Sequence, residues 1–266
     1  MGEVAIKTHS SISIAQITDS HIMPPGKWWK DNPEAKTAQR LSCVIDHINK
    51  LNPRPDLVIH TADITDGGDL ESYRYAKTLL DMLEIPYCLA CGNHDNFENM
   101  KQVFTHHTYF MDPHFAHYVI DSLPVRIIVL DTTVEGEIFG RLCNARIEWL
   151  ARALHVSQQD TLIFMHHFPI AVQDVFFNQI NLLDSTKLEA IVERNPHVLG
   201  LYCGHYHYSA VRLFGGKICF IAPSTAPAHI LRGSTCIGLD FVSPSYTLHR
   251  YVHGMVTSQI IPVELN

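Results

Sequence analysis

Five short polar strings, each placed just after an apolar run, constrain this chain more than any other feature: Asp19-Ser20-His21, Ala62-Asp63, Gly92-Asn93-His94-Asp95, His166-His167 and Gly204-His205-Tyr206-His207. The preceding runs read as strands, so the strings fall at strand ends. Several strand ends can converge on one rim, where an open α/β sheet binds its ligand. Singly, an aspartate is as readily a helix cap and a histidine a packed core residue. As a set, the strings hold enough oxygen and nitrogen donors to grip two metal ions side by side.

The segments between the strings alternate. Ile12 to Ile17 reads as a strand, and Pro33 to Leu51 carries Ala38, Leu41, Val44, Ile45 and Ile48 at helical intervals before Asn52-Pro53 stops it. A strand over Leu57 to Thr61, a helix from about Leu70 to Leu83 and a strand over Pro86 to Ala90 complete a βαβαβ pattern, the mark of a layered α/β fold. Beyond it, Phe115 to Ile120 and Val125 to Leu130 read as a hairpin, Ala145 to Leu154 as a helix and Thr161 to Met165 as a strand. After a helix over Leu183 to Arg194 come short strands at Leu199 to Cys203, Val211 to Phe214, Lys217 to Ile221, Cys236 to Phe241 and Tyr246 to Tyr251. These predict a second, antiparallel sheet packed on the first, with helices flanking both. No repeat, low-complexity tract or linker divides the chain, so one domain over residues 1–266 is expected.

Composition narrows the setting. With 46% hydrophobic and 18% charged residues the chain can bury a large core, and its net charge of -7 argues against a broad basic face for nucleic acid. Met1 to Ser13 lacks the apolar stretch of a signal peptide, and runs such as Arg126 to Leu130 are far too short to cross a bilayer. Seven cysteines, an odd count scattered through the elements, suit a reducing compartment. The expectation is a soluble, cytoplasmic protein. Cys88 and Cys91 form a CxxC, but on a strand that spacing sends the thiols to opposite faces, which favours buried packing over redox chemistry. His9, His47, His60, His155, His249 and His253 lie outside any recurrent spacing and read as packing residues.

Two ions about 3.5 to 4 Å apart need a shared carboxylate, terminal donors and open positions for water and substrate. Asp19 and His21, two apart after an extended strand, would point the same way and grip one ion. His205 and His207, two apart after Gly204, would reach neighbouring ions across a bend.

The order DxH, (G)D, GNHD, HH and GHxH resembles the calcineurin-like metallophosphoesterases over Ile12 to Thr225. Three further stretches resemble the class III cyclic nucleotide phosphodiesterases and their glycerophosphodiesterase relatives: Leu130-Asp131-Thr132 with Gly136 and Gly140, His166-His167-Phe168-Pro169, and Ala222-Pro223-Ser224-Thr225. The resemblance implies an α/β fold, a four-layer αββα sandwich of two mixed β-sheets flanked by helices. It implies that Asp19, His21 and His207 bind one metal, that Asn93, His166 and His205 bind the other, and that Asp63 bridges them. His94 would stand beside the phosphate and protonate the leaving oxygen, Asp95 would orient His94 or its loop, and His167 would be a supporting neighbour. The implied reaction is hydrolysis of a small phosphodiester, foremost a 3′,5′-cyclic nucleotide such as cAMP, by a hydroxide shared between the metals. A glycerophosphodiester or a broader range of phosphoesters is the alternative. Asp, Asn and His donors suit iron, manganese, zinc or cobalt, and the resemblance also allows a homo-oligomer.

Two positions depart from the family pattern. Ala62 replaces the usual glycine before the bridging acid, a change that fits unless the backbone there needs positive φ. Phe168 replaces a usual proline and could reshape the pocket wall after His166. For substrate contacts, the loops add Trp28 and Asn178 to Asn93, His94 and His207. Trp28 or Trp29 could stack a base or cover a phosphate between Lys27 and Lys30, whereas the plainer reading has one indole anchoring the loop to the core or building a subunit contact. Asp174, Phe176 and Phe177 flank Asn178, and consecutive phenylalanines cannot both face one pocket. His106, His107, His114 and His117, clustered after GNHD, could offer a phosphate contact but lack the acids and spacing of a third metal site. An HD-domain hydrolase is rejected because His94-Asp95 follows a strand, and a serine hydrolase because no GxSxG occurs. A metal-free binding scaffold should have lost ligands, whereas all seven are present.

Overall fold

The computed structural model describes residues 11–172, 177–232 and 235–265. In chain order the first part holds β1 (Ser11–Ile17), α1 (Thr37–Lys50), β2 (Leu57–His60), α2 (Leu70–Leu80), β3 (Tyr87–Leu89) and α3 (Phe97–Val103). Then come β4 (Tyr118–Ile120), β5 (Arg126–Leu130), β6 (Gly140–Arg141), α4 (Asn144–His155), β7 (Thr161–Met165), α5 (Phe177–Ile180), β8 (Leu182–Leu183) and α6 (Thr186–Arg194). The last part is all strand: β9 (Val198–Cys203), β10 (Ala210–Phe214), β11 (Lys217–Ile221), β12 (Ala228–Arg232), β13 (Thr235–Asp240), β14 (Ser245–Val252) and β15 (Met255–Pro262).

The main sheets have strand orders β15-β14-β1-β2-β3 and β10-β11-β9-β7-β5-β4. Alternation along each strand divides the apolar residues between faces. Ile12, Ile14, Ile59, Ile127, Val129, Leu162 and Phe164 meet between the sheets. Ala15, Ile17 and Val58 face α1 and α2 on one outside, and Ile128, Leu130, Ile163 and Met165 face α4 and α6 on the other. The result is the expected α/β, four-layer αββα sandwich. Cys88 and Cys91 follow the same alternation: both are buried and free, Cys88 between the sheets and Cys91 toward the helices.

The second sheet is not antiparallel as the strand count suggested. β5, β7, β9 and β11 run parallel in sequence, and only β4 and β10 at its edges are antiparallel. The helices α4 and α6 make the β5–β7 and β7–β9 crossovers, the chain passes from β9 to β11 through β10, and strands buried on both faces need no polar alternation. β14 does not join this sheet but returns to pair with β1, carrying β15 at the edge. Also unforeseen from the sequence are α3, β12, β15 and the short β6-β8 pair.

Candidate metal centre

The five strings meet where β1, β2, β3, β7 and β9 end. Asp19, His21 and His207 bring ligand atoms within 4.8 Å of one another, as do Asp19, Asp63 and His166. His21 Nε2 lies 2.9 Å from His207 Nε2 and 3.8 Å from Asp63 Oδ2. On the other side of Asp63, His166 Nε2 stands 3.2 Å from its Oδ2, 3.2 Å from Asn93 Oδ1 and 3.1 Å from His205 Nδ1. Asp63 thus lies between two groups of donors, Asp19, His21 and His207 in one and Asn93, His166 and His205 in the other.

The donor set fits metal ions. Burial, with the neighbouring charge of His166, holds the His205 imidazole down at about 3, and burial beside His21 holds His207 well below the ordinary range. Neutral imidazole is the form that ligates; at His166 burial is outweighed by the charge and hydrogen bond of Asp63, which push the imidazole up to about 9, so it ligates only on giving up that proton. Burial pushes the Asp63 carboxyl up, but the charge and hydrogen bond of His166 outweigh it and keep it well below the usual range, so the shared carboxylate stays ionised. Each imidazole is aimed by its other nitrogen: His21 Nδ1 by Asp66, His166 Nδ1 by the Thr61 carbonyl, His205 Nε2 by the Ile180 carbonyl and His207 Nδ1 by the Pro227 carbonyl. Such partners fix ring orientation and which nitrogen is left for the ion.

The backbone bends sharply to bring the donors together. Asp19, His21, Ala62, Asp63, His205 and His207 all have left-handed φ, between 44° and 83°. Each costs roughly 1–2 kcal/mol in a non-glycine residue, and such strain clusters at functional sites. Asp19 and His21 therefore share a cluster through a strained turn, not through the strand alternation expected of them. Ala62, with φ of 83°, meets the condition under which glycine would be preferred. Gly92 has a tighter constraint, because a Cβ there would lie 2.2 Å from Asp63 Oδ1.

Around the donors stand residues that the strings do not contain. Asp66 Oδ1 receives His21 Nδ1 at 3.0 Å, Trp29 Nε1 at 2.9 Å and His94 Nδ1 at 3.2 Å. Asp66, not Asp95, orients His94. Asp95 holds the loop instead, accepting from the backbone N–H groups of Ile64, Thr65 and Gly92 and from the Tyr73 hydroxyl. The 222–227 loop is tied to the first string by Thr225 N–H to the Thr18 carbonyl and Ala226 N–H to the Asp19 carbonyl, while buried Arg40 donates to the Thr225 carbonyl. Ser20 Oγ bridges His60 Nε2 and Thr225 Oγ1. No periodicity marks these residues; an acid three after Asp63 was the one available signal for Asp66.

His94 lies on the wall of an open cleft of about 690 Å³, with Asn93, Phe97, Glu98, His114, Phe115 and Glu135. Trp29 is buried and Trp28 is 51% exposed, so one indole anchors the loop as the plainer reading held. Trp28 borders a separate cavity of about 260 Å³ with Pro24, Pro25 and Lys27. Asn178 uses both ends of its amide on the Val172 backbone, 2.7 and 2.8 Å away. Phe177 packs on Tyr206, while Asp174 and Phe176 lie outside the described residues, as does His9. Phe168 forms no pocket wall; it is fully buried among the residues under α4 and α6. His167 packs against His166 and His205 with Nδ1 on Thr132 Oγ1 at 2.8 Å. His117 stacks on Trp149, and His106 and His107 pack around Tyr87.

Residues 12–209 match the family model of the calcineurin-like phosphoesterases. The chain belongs to that family. It is 34% identical over 250 residues to a probable glycerophosphodiester phosphodiesterase GpdQ of Arcobacter nitrofigilis, covering 92% of this chain and 91% of the relative. It is 29% identical over 264 residues to the 3′,5′-cyclic adenosine monophosphate phosphodiesterase CpdA of Vibrio vulnificus, covering 95% and 90%. Among solved structures, a dimetal phosphatase from Danio rerio superposes with a TM-score of 0.71 at 12% identity, over 96% of this chain and 99% of that one. Family, fold and relatives make the chain a metal-dependent phosphodiester hydrolase, and its clustered donors support a dimetal centre.

Proposed function

We propose that the chain hydrolyses a small soluble phosphodiester, with a 3′,5′-cyclic nucleotide such as cAMP as its substrate, in the cytoplasm. The observation that carries the reading is the two donor groups sharing Asp63 beside a cleft walled by His94. Asp19, His21 and His207 would hold one metal ion, Asn93, His166 and His205 the other, and Asp63 both. Bound there, the pair supplies charge to neutralise the non-bridging oxygens and a nucleophile from water at neutral pH. His94 contributes the proton. Burial disfavours its charged form, but its hydrogen bond to Asp66 favours it and raises its pKa. With Nδ1 held by Asp66, Nε2 is the atom that can donate to the leaving oxygen. The cyclic-nucleotide substrate is supported by relatives bearing that name, CpdA of Vibrio vulnificus among them, and by a cleft large enough for a nucleotide.

A glycerophosphodiester is the second reading. It is favoured by the 34% identical relative and by the cleft lining, which includes Glu98, Glu135 and Glu137 without a lysine or arginine and suits an alcohol bearing an amine. The test is a panel of metal-reconstituted assays with 3′,5′-cyclic AMP, 2′,3′-cyclic nucleotides, glycerophosphoethanolamine, phosphomonoesters and bis(p-nitrophenyl) phosphate. A kcat/KM for cyclic AMP above that for glycerophosphoethanolamine supports the cyclic reading, and the reverse order supports the second. Failure to cleave any diester would overturn both.

A further inference from the structure

We infer that Trp29 is a positioning residue of the metal centre, an inference that rests on the metal assignment above. An indole that only anchored a loop would be surrounded by apolar side chains. Trp29 does cluster with Ala35 and Ala226, Met23 and Leu239 pack against that cluster, and Lys30 Nζ lies 4.7 Å from the indole centroid, but the indole N–H and its stacking contacts with imidazoles belong to the site. Its ring stacks on His21, with centroids 4.9 Å apart and planes at 23°, and on His207, at 5.4 Å and 17°. Its Nε1 donates to Asp66 Oδ1 at 2.9 Å, the same oxygen that takes His21 Nδ1 and His94 Nδ1. One side chain therefore covers two imidazoles of one donor group and pins the carboxylate that aims a third.

The geometry has a direct consequence. His21 and His207 present their Nε2 atoms to each other 2.9 Å apart, an arrangement that needs both rings held at fixed tilt. The indole face supplies that restraint from one side, and Asp66 supplies it for His21 at Nδ1. Without the indole N–H, Asp66 Oδ1 keeps only His21 and His94 of its three donors and is held less tightly in the position that aims His21. Lys30 and Asp31, both with φ of 52°, make the strained turn that seats the ring, so the loop is shaped around this position. Trp29 thereby sets the affinity of the Asp19, His21 and His207 group while leaving that of Asn93, His166 and His205 unchanged.

Cobalt(II) titration of the chelator-stripped full chain tests this, read by metal stoichiometry and by tryptophan emission. Trp29→Phe keeps a smaller aromatic face and loses the N–H; Trp29→Leu loses both face and N–H. The expected result is two ions bound by the wild type, a Kd for one of them raised about 10-fold or more in Trp29→Phe and further in Trp29→Leu, and the other Kd unchanged. Asp66→Asn, which keeps the loop and its tryptophan, should weaken the same ion. The emission change on loading should be largely lost in Trp29→Phe and kept in Trp28→Phe and Trp149→Phe. Wild-type Kd values for both ions in Trp29→Phe and Trp29→Leu would overturn the inference and leave the metal assignment standing. A wild type that binds no cobalt would overturn the assignment and the inference with it.

Discussion

Asp63 and Asp66 stand three residues apart, and their neighbours give them different roles. Asp63 lies between two donor groups, so Asp63→Ala should abolish two-metal occupancy and lower hydrolysis of bis(p-nitrophenyl) phosphate by at least about 100-fold; near-normal turnover would refute the bridging role. Asp66 bonds the Nδ1 atoms of His21 and His94 and so aims both rings. Asp66→Asn should lower kcat about 10- to 100-fold in a folded protein, checked by steady-state kinetics beside circular dichroism. Asp95 offers a contrast. It joins the 64–65 and 92 backbones, so Asp95→Ala should cost at least about 2 kcal/mol of stability, measured by urea unfolding, through the buried N–H groups it leaves unpaired.

Strand ends and the turns beyond them are where this fold turns packing into chemistry. β2 is buried along its whole length, and the chain leaves it through Ala62 at φ of 83°. Relief of left-handed strain in Ala62→Gly offsets the lost methyl contact, so that variant should lie within about 1 kcal/mol of wild type, whereas β-branched Ala62→Val should lose several. The comparison is made by thermal unfolding at one metal concentration. Phe168, behind the β7 end, contributes packing alone. Phe168→Ala should cost about 3–5 kcal/mol and still yield protein that binds two ions, because no donor rests on the ring.

Across the whole molecule, the strained, donor-rich rim is the least self-sufficient part of the fold, since six of its residues hold left-handed backbone and its imidazoles crowd together. Binding that favours the folded state raises stability by mass action, so chelation should lower the melting temperature in a metal-concentration-dependent way. Stability should also fall in acid for a reason remote from the rim. His249, on β14, bonds Gln16 and Ser258 between the sheets, and burial holds its imidazole down at about 3. Unfolded, it would take a proton near 6.5. Its contribution is therefore complete above about pH 6.5 and is lost as the pH falls toward 3, at about 1.4 kcal/mol per pH unit. His249→Gln should flatten that acid limb in urea unfolding followed from pH 7 to pH 4.

Much of this was legible along the chain. The apolar runs located most strands because burial on both faces demands them, and the strings at their ends disclosed the donors because ligand chemistry restricts residue type. Other features depend on distant segments. Whether β7 runs parallel or antiparallel to β9 is settled by the α6 crossover, since a strand buried on both faces reads alike in either case. Trp29, Arg40 and the Ile180 carbonyl carry no local pattern, because each acquires its role from a partner brought close only by folding: Trp29 through Asp66, Arg40 through Thr225, Ile180 through His205. Residue chemistry is local and so can be read in order, whereas the aim of a side chain is a property of the packed whole.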